Sequence, residues 1–227
     1  MIDKFYPTPA AALADVQDGA TVMIGGFGNA GMPTALINAL VARGARGLTV
    51  VNNNAGNGDS GLAALIAAGC VRKVICSFPR QSDSWHFDKR YRAGEIELEL
   101  VPQGTLAERI RAAGAGIGAF YTRTAFGTRL AEGKETRRIG DRDYVLEYPI
   151  HADFALIRAE RADRWGNLTY RKTARNFGPI MAAAARCTVV QVRHAAALGD
   201  IDPEAVVTPG IFVQRIVHIP AAAAMAA

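Results

Sequence analysis

Hydrophobic and polar positions follow two rhythms along this chain. Short runs rich in valine, isoleucine and leucine recur at 20–25, 48–52, 73–77, 144–147, 154–159 and 188–192. Continuous apolar runs of that length predict strands covered on both faces. Between them lie alanine-rich segments that predict helices at 8–16, 34–43, 60–68, 105–113 and 178–185. Pro33 suits a first helical position, and Gly44 suits a C-terminal stop. The segment 95–101 differs, because Glu95, Glu97 and Glu99 alternate with Ile96, Leu98 and Leu100. Period two predicts a half-solvated strand whose carboxylates are surface groups before they are catalysts. Strand and helix in alternation predict an α/β fold with an open, doubly wound, mostly parallel sheet flanked by helices.

Composition narrows this picture. At 227 residues and 50% hydrophobic, the chain is long enough for one large α/β domain over 1–227, and it has no linker or internal repeat. The alanine-rich tail at 221–227 contributes no visible chemistry. The opening MIDKFYPTP has no apolar signal region, and no apolar run reaches the ~18 residues of a membrane span, so a cytoplasmic protein with no membrane partner is expected. Cys70, Cys76 and Cys187 lack metal-ligand spacing, which predicts buried thiols with neither disulfide nor zinc. His86, His151, His194 and His218 are isolated, so no metal site is expected. The net charge of +5 comes from 26 scattered basic residues among 21 acids. Such a mixture argues against nucleic acid as a partner and favours small anions.

Residues 25–31 raise the first question of chemistry. Gly26-Phe27-Gly28-Asn29-Ala30-Gly31 matches the dinucleotide fingerprint G-x-G-x-x-G, between a predicted strand and a predicted helix. A dinucleotide fold also needs an acid at the end of its second strand to bind the ribose. Here that strand runs into Asn52-Asn53-Asn54-Ala55-Gly56, and the acid is missing. A phosphate-cradling loop, a weaker case for NAD and a purely structural turn all stay open. Three consecutive asparagines at the carboxyl end of a strand lie where open α/β sheets place ligands, although asparagine also ends strands in turns. A second such junction is VPQGTLAERIRAAGAG, where Thr105 and Glu108 have capping-box spacing and predict a helix start just after Gln103-Gly104. Gln103 is then expected to point into the crevice above the sheet, where its amide could donate to an oxyanion.

The stretches GGFGNAGMP, NNAG, VPQGTLAERIRAAGAG and DFALIRAERADRWGNLTYRKTARNFGP, four separated motifs in order, resemble the first subunit of class I (family 1) 3-oxoacid CoA-transferases, from about Phe5 to about Pro220. The segment Ser77–His86 is more similar to the 3-oxoadipate branch than to the acetoacetate branch.

The resemblance implies the CoA-transferase-like fold and ping-pong acyl chemistry, with CoA moved from succinyl-CoA to a 3-oxoacid, most simply 3-oxoadipate. Coenzyme A is then a substrate, and no tightly bound cofactor is expected. By position, the family's active-site asparagine and glutamine fall on Asn53 and Gln103, and its CoA loop on Gly25, Gly26, Phe27, Gly28, Asn29, Ala30 and Gly31. The nucleophilic glutamate of the family lies in a Ser-Glu-Asn-Gly type motif of the second subunit, and no such motif occurs here. The resemblance therefore implies that second, glutamate-bearing subunit as partner, in a heterodimer or heterotetramer. Glu132 and Glu135 lie in the turn-like LAEGKETRR, and Glu108 is assigned to its cap. The family stretch Thr-Pro-Thr-Gly-Tyr-Gly-Thr reads here Thr122-Arg123-Thr124-Ala125-Phe126-Gly127-Thr128. Arg171, Lys172 and Arg175 are candidates for a CoA phosphate, a partner interface or a solvated face, and the Arg80 segment is a candidate for a second carboxylate of the acid. The competing readings are a non-catalytic CoA- or nucleotide-binding regulatory subunit, or else one specific for acetoacetate.

Overall fold

The computed structural model describes residues 2–220, so the alanine-rich tail expected at 221–227 lies outside the described residues. In chain order the elements are α1 (Pro9–Ala12), β1 (Thr21–Ile24), α2 (Thr34–Arg43), β2 (Leu48–Val51), α3 (Leu62–Ala67), β3 (Val71–Cys76), α4 (Trp85–Arg92), β4 (Glu97–Leu100) and α5 (Gln103–Gly114). There follow β5 (Phe120–Thr122), β6 (Thr136–Ile139), β7 (Arg142–Glu147), β8 (Ala152–Ala162), β9 (Leu168–Thr169), α6 (Gly178–Ala184), β10 (Ala185–Ala195) and β11 (Arg215–His218). The main sheet has the order β11-β10-β8-β1-β2-β3-β4, with every neighbouring pair parallel and with β9 added antiparallel to β8. The predicted mostly parallel, doubly wound sheet is the observed one.

Its two faces explain the continuous apolar runs. Val22, Ile24, Val50, Val74 and Cys76 enter one buried cluster with Leu36, Ile37 and Leu40 of α2 and Leu62, Leu65 and Ile66 of α3. Their neighbours Met23, Val51 and Ile75 enter the other, with Leu106 and Ile110 of α5 and Met181 and Ala182 of α6. These strand residues thus have apolar partners on both faces of the sheet, and each fully buried leucine or isoleucine contributes about 1.5–3 kcal/mol. Helix α2 has the predicted bounds and ends at Gly44 in the left-handed conformation, while Pro33 stands just outside it as N-cap. The expected helix at 8–16 shrinks to α1, held by the Thr8 hydroxyl, which accepts from the Ala11 N–H.

A smaller antiparallel sheet of order β5-β7-β6 stands beside the main one. Only its central strand is predicted, at 144–147. The fully exposed β6 has no apolar face to give it away. Helix α4 is missed for a related reason, since only Phe87 of its WHFDKRYR is buried. In β4 the expected alternation is partial: Glu97 is exposed, whereas Glu99 is half-buried between Lys73 (2.7 Å) and Arg109 (2.9 Å).

Candidate active site

Strands β1, β2 and β3 run parallel, so the loops at their carboxyl ends meet above the sheet, as open α/β folds bring ligand loops together. The three asparagines after β2 are buried and have different tasks. Asn52 donates from Nδ2 to the carbonyl of Ile24 (2.6 Å), tying the end of β2 to the end of β1, and its Oδ1 accepts from the Asn54 N–H (2.9 Å). Asn54 in turn accepts from the Gly56 N–H (2.9 Å). These two amides build the turn, which is the structural reading of asparagine at a strand end.

Asn53 differs from both in that other side chains hold its oxygen. Its Oδ1 accepts from the Ser77 hydroxyl at 2.8 Å and from Gln103 Nε2 at 2.7 Å. With the oxygen fixed from two sides, Nδ2 must point the other way. Among the described residues it donates to nothing, and it is not one of the buried unpartnered atoms, so it faces open space. That space is a cavity of about 460 Å³ lined by Phe27, Gly28, Asn53, Asn54, Ser77, Phe78, Gln81 and Gln103. No carboxylate is among its lining residues.

Gln103 is brought there by α5, which begins two residues earlier than the capping box predicts. Pro102 occupies the N-cap position and no side chain caps the helix. Thr105 is therefore inside the first turn with its hydroxyl buried and unpartnered, and Glu108 pairs with Arg111 (2.8 Å) instead of reaching back. The sequence-based expectation that Gln103 points into the crevice nevertheless holds, because the earlier start places it in the first turn of the helix, facing β2.

The glycine loop is a tight hairpin, closed by Phe27 N–H to Ala30 carbonyl (3.0 Å) and Ala30 N–H to Phe27 carbonyl (3.2 Å). Gly25 donates to the Leu156 carbonyl (2.9 Å) and Gly26 to Asn176 Oδ1 (3.2 Å). The backbone N–H groups of Gly28, Asn29 and Gly31 have no acceptor among the described residues. Gly26 (φ +128) and Gly31 (φ +77) adopt backbone geometry that side chains disfavour, and a Cβ on Gly31 would meet the Ala174 carbonyl at 2.6 Å. Asn176 completes the clamp, donating from Nδ2 to the Ala30 carbonyl (2.9 Å). At the start of α2 one of the N–H groups that the dinucleotide motif would turn to an anion is taken: Gln191 of β10 accepts from the Ala35 N–H (3.0 Å). Asn176 and Gln191 are not found by reading the sequence. Each acts on a residue some 150 positions away in the chain, and no local pattern announces such a pairing.

Other candidates resolve simply. Arg80, considered for a second carboxylate, is bound to Asp88 at 2.7 Å on the surface and is not among the residues lining the cavity that holds Phe78 and Gln81. Cys76 is fully buried, and burial pushes its thiol up to about 12, so it is a core residue and no nucleophile. His86 pairs with Asp59 (2.8 Å), and among the described residues no three His, Cys, Asp or Glu side chains gather as a metal site. Glu135 accepts from the Tyr121 hydroxyl. None of residues 123–128 lines the amide cavity. No helix among the described residues is long and apolar enough to cross a membrane.

Comparison with known proteins gives this geometry a setting. Residues 6–218 match the family described as Coenzyme A transferase. The chain is 65% identical over 224 residues to the first subunit of 3-oxoadipate CoA-transferase from Pseudomonas putida, covering 99% of this chain and 97% of that one. It is 62% identical to the subunit of the same name from Acinetobacter baylyi, over the whole of both chains. Glutaconate coenzyme A-transferase from Acidaminococcus fermentans shares the fold at 21% identity, with a TM-score of 0.83 over 97% of this chain and 77% of that one. The chain belongs to the coenzyme A transferase family.

Proposed function

We propose that this chain is the first subunit of a 3-oxoadipate CoA-transferase, which moves CoA from succinyl-CoA to the acid and is completed by a second subunit that brings the nucleophilic carboxylate. One observation carries the reading: a cavity at the carboxyl edge of the sheet holds an oriented amide donor, Asn53 Nδ2, and no carboxylate of its own. The names of the 62–65% identical relatives support the choice of acid and the need for a partner chain.

In the reaction, a glutamate of the partner attacks the succinyl-CoA thioester, the C–S bond breaks, and the acyl group passes to the glutamate as an anhydride. The released CoA thiolate attacks the glutamyl carbonyl of that anhydride, giving glutamyl-CoA and succinate. The acceptor acid then runs both steps in reverse and leaves as its CoA thioester. Each attack places negative charge on a carbonyl oxygen, and a fixed amide N–H facing that oxygen lowers the barrier without reorganising. Asn53 supplies the donor, while Gln103 and Ser77 act through it by holding its oxygen. The unpartnered N–H of Gly28, which lines the cavity, is a further donor there, where the pantetheine of CoA enters beside Phe27. The protein is read as cytoplasmic, with coenzyme A as substrate and no tightly bound cofactor.

Co-expression with the second subunit tests the reading, through an assay of succinyl-CoA against 3-oxoadipate and borohydride trapping of the thioester followed by mass spectrometry. Exchange by the complex, none by this chain alone, and a mark confined to the partner are expected. A marked glutamate on this chain would overturn the assignment, and a complex with no exchange would favour a regulatory role.

A further inference from the structure

Phe27 is half exposed at the carboxyl edge of the sheet and stands between two cavities, since it lines both the amide cavity and a neighbouring one of about 630 Å³. The second is lined by Phe27, Ala30, Lys172, Thr173, Arg175 and Asn176. Its two cations are unspent: among the described residues no carboxylate lies within 4.0 Å of Lys172 or Arg175, while surface arginines such as Arg72, Arg80 and Arg90 each have an acid. Nor are they loosely attached. Lys172 has φ +50, a left-handed geometry costly for a side chain with a Cβ, and the turn Lys172–Arg175 is held to the glycine loop by Asn176 and by close packing of Gly31 on Ala174. A non-glycine residue kept in such geometry beside a ligand loop points to a role for its side chain.

We propose, building on the CoA-transferase reading above, that this second cavity is the subsite for the carboxylate at the non-reacting end of the acyl group. Phe27 and Ala30 offer apolar surface to the methylenes, and Lys172 and Arg175 offer charge-assisted hydrogen bonds to the carboxylate. The spacing of the cavities favours a carboxylate over a CoA phosphate. The two ends of a short dicarboxylic acid are separated by a few methylenes, which suits adjoining cavities that share one side chain, whereas the phosphates of CoA lie a whole pantetheine arm from the sulfur. Both acyl groups of the reaction, succinyl and 3-oxoadipyl, carry such a second carboxylate, so one subsite serves both halves of the ping-pong cycle.

The test uses the assembled two-subunit enzyme with Lys172→Gln, Arg175→Gln and Arg175→Lys, comparing 3-oxoadipate with 3-oxohexanoate, its monocarboxylic counterpart, and succinyl-CoA with acetoacetyl-CoA. For the two glutamine variants kcat/KM should fall about tenfold or more for 3-oxoadipate and succinyl-CoA, and stay unchanged for 3-oxohexanoate and acetoacetyl-CoA, with partial recovery in Arg175→Lys. Equal falls for both acids would mean a structural role and would overturn the subsite. A rise in KM common to both CoA donors, whatever the acyl group, would assign the cations to a phosphate and would also overturn it. A wild-type complex that exchanges no acyl group would instead remove the underlying reading, so the two failures are told apart.

Discussion

The carboxyl edge of the main sheet and the small antiparallel sheet hold their polar groups in opposite ways. At the edge, Asn52, Asn53 and Asn54 are only 1%, 5% and 2% exposed, their three side-chain oxygens accept from Asn54, Ser77 and Gln103, and Gly56 in turn, and Asn52 Nδ2 donates to Ile24. In the small sheet, β6 is exposed throughout, and its ion pair Arg138–Asp143 spans 3.7 Å in water. A buried polar group without a partner costs more than a hydrogen bond returns, so burial forces a single arrangement, whereas an exposed pair is nearly neutral and specifies little. Orientation, the property that catalysis requires, is therefore found at the edge. Where the small sheet meets the main one the contrast reverses: Glu147 is 3% exposed and accepts from Lys134 at 2.6 Å, with Arg109 at 3.8 Å.

The largest effect is expected where an oriented donor is removed without changing shape. Asn53→Asp keeps the oxygen that Ser77 and Gln103 bind and replaces the N–H facing the cavity with a second oxygen. Turnover of the assembled enzyme should fall about 100-fold or more while the complex still forms. Gln103→Ala should fall in the same direction by a smaller factor, since it frees Asn53 to rotate without deleting its donor. Steady-state kinetics on both variants checks the order, and a Gln103→Ala loss exceeding that of Asn53→Asp would make the glutamine the direct donor.

Next comes the clamp on the glycine loop. Gly31→Ala puts a Cβ at 2.6 Å from the Ala174 carbonyl in left-handed backbone, so the hairpin must shift. A loss of about 2 kcal/mol or more in urea unfolding is expected. The same substitution at Gly28, whose Cβ would meet nothing within 4 Å, should cost about 1 kcal/mol from backbone geometry alone. Equal losses would mean that the clamp is not tight.

Glu147 tests the exception in the small sheet. Glu147→Ala takes the carboxylate at 2.6 Å from Lys134, while Arg109 keeps Glu99 (2.9 Å), and should cost about 2 kcal/mol, below the figure for a fully buried pair because the lysine is a third exposed. Arg138→Ala, at an exposed pair in the same sheet, should stay within about 0.5 kcal/mol. Denaturant midpoints for the two variants, read side by side, check the contrast, and similar values would refute it.

Much of this edge was legible in the sequence because its signals are local. Apolar runs mark β1 and β2, Gly25–Gly31 marks a tight loop, and Asn53 and Gln103 stand just past strand ends, so the rule that ligands sit at carboxyl ends brings them together. What was not legible is carried by distant partners or by exposure. Asn176 and Gln191 look like ordinary polar residues until the fold sets them under Gly26 and Ala35. The division of labour among the three asparagines was invisible because only their partners distinguish them. β6 and α4 have too little buried surface to impose a rhythm, and the capping box at Thr105 misled because a proline-led turn starts the helix earlier.

The smallest effect concerns the stretch Thr122–Thr128, where the resemblance predicts two glycines and this chain has one. Ala125 stands at the position of the first and retains φ +72, close to the φ +74 of Gly127. The turn has thus kept a backbone shape that the residue at its corner no longer favours. An alanine in that region costs roughly 1–2 kcal/mol. Restoring glycine relieves that strain but loosens the unfolded chain, at a cost of about 0.4–1 kcal/mol. The two terms oppose, and the first is larger, so Ala125→Gly should stabilise the protein by about 0.5–1 kcal/mol and raise Tm by about 2 °C. Turnover should be unchanged, because no residue from 123 to 128 lines the amide cavity. Thermal unfolding followed by circular dichroism, with kinetics on the same preparation, separates the possibilities. A variant of lower Tm would mean that the alanine methyl packs against something worth more than the strain it brings. A variant of altered kcat would mean that this turn reaches the site once the partner chain is in place.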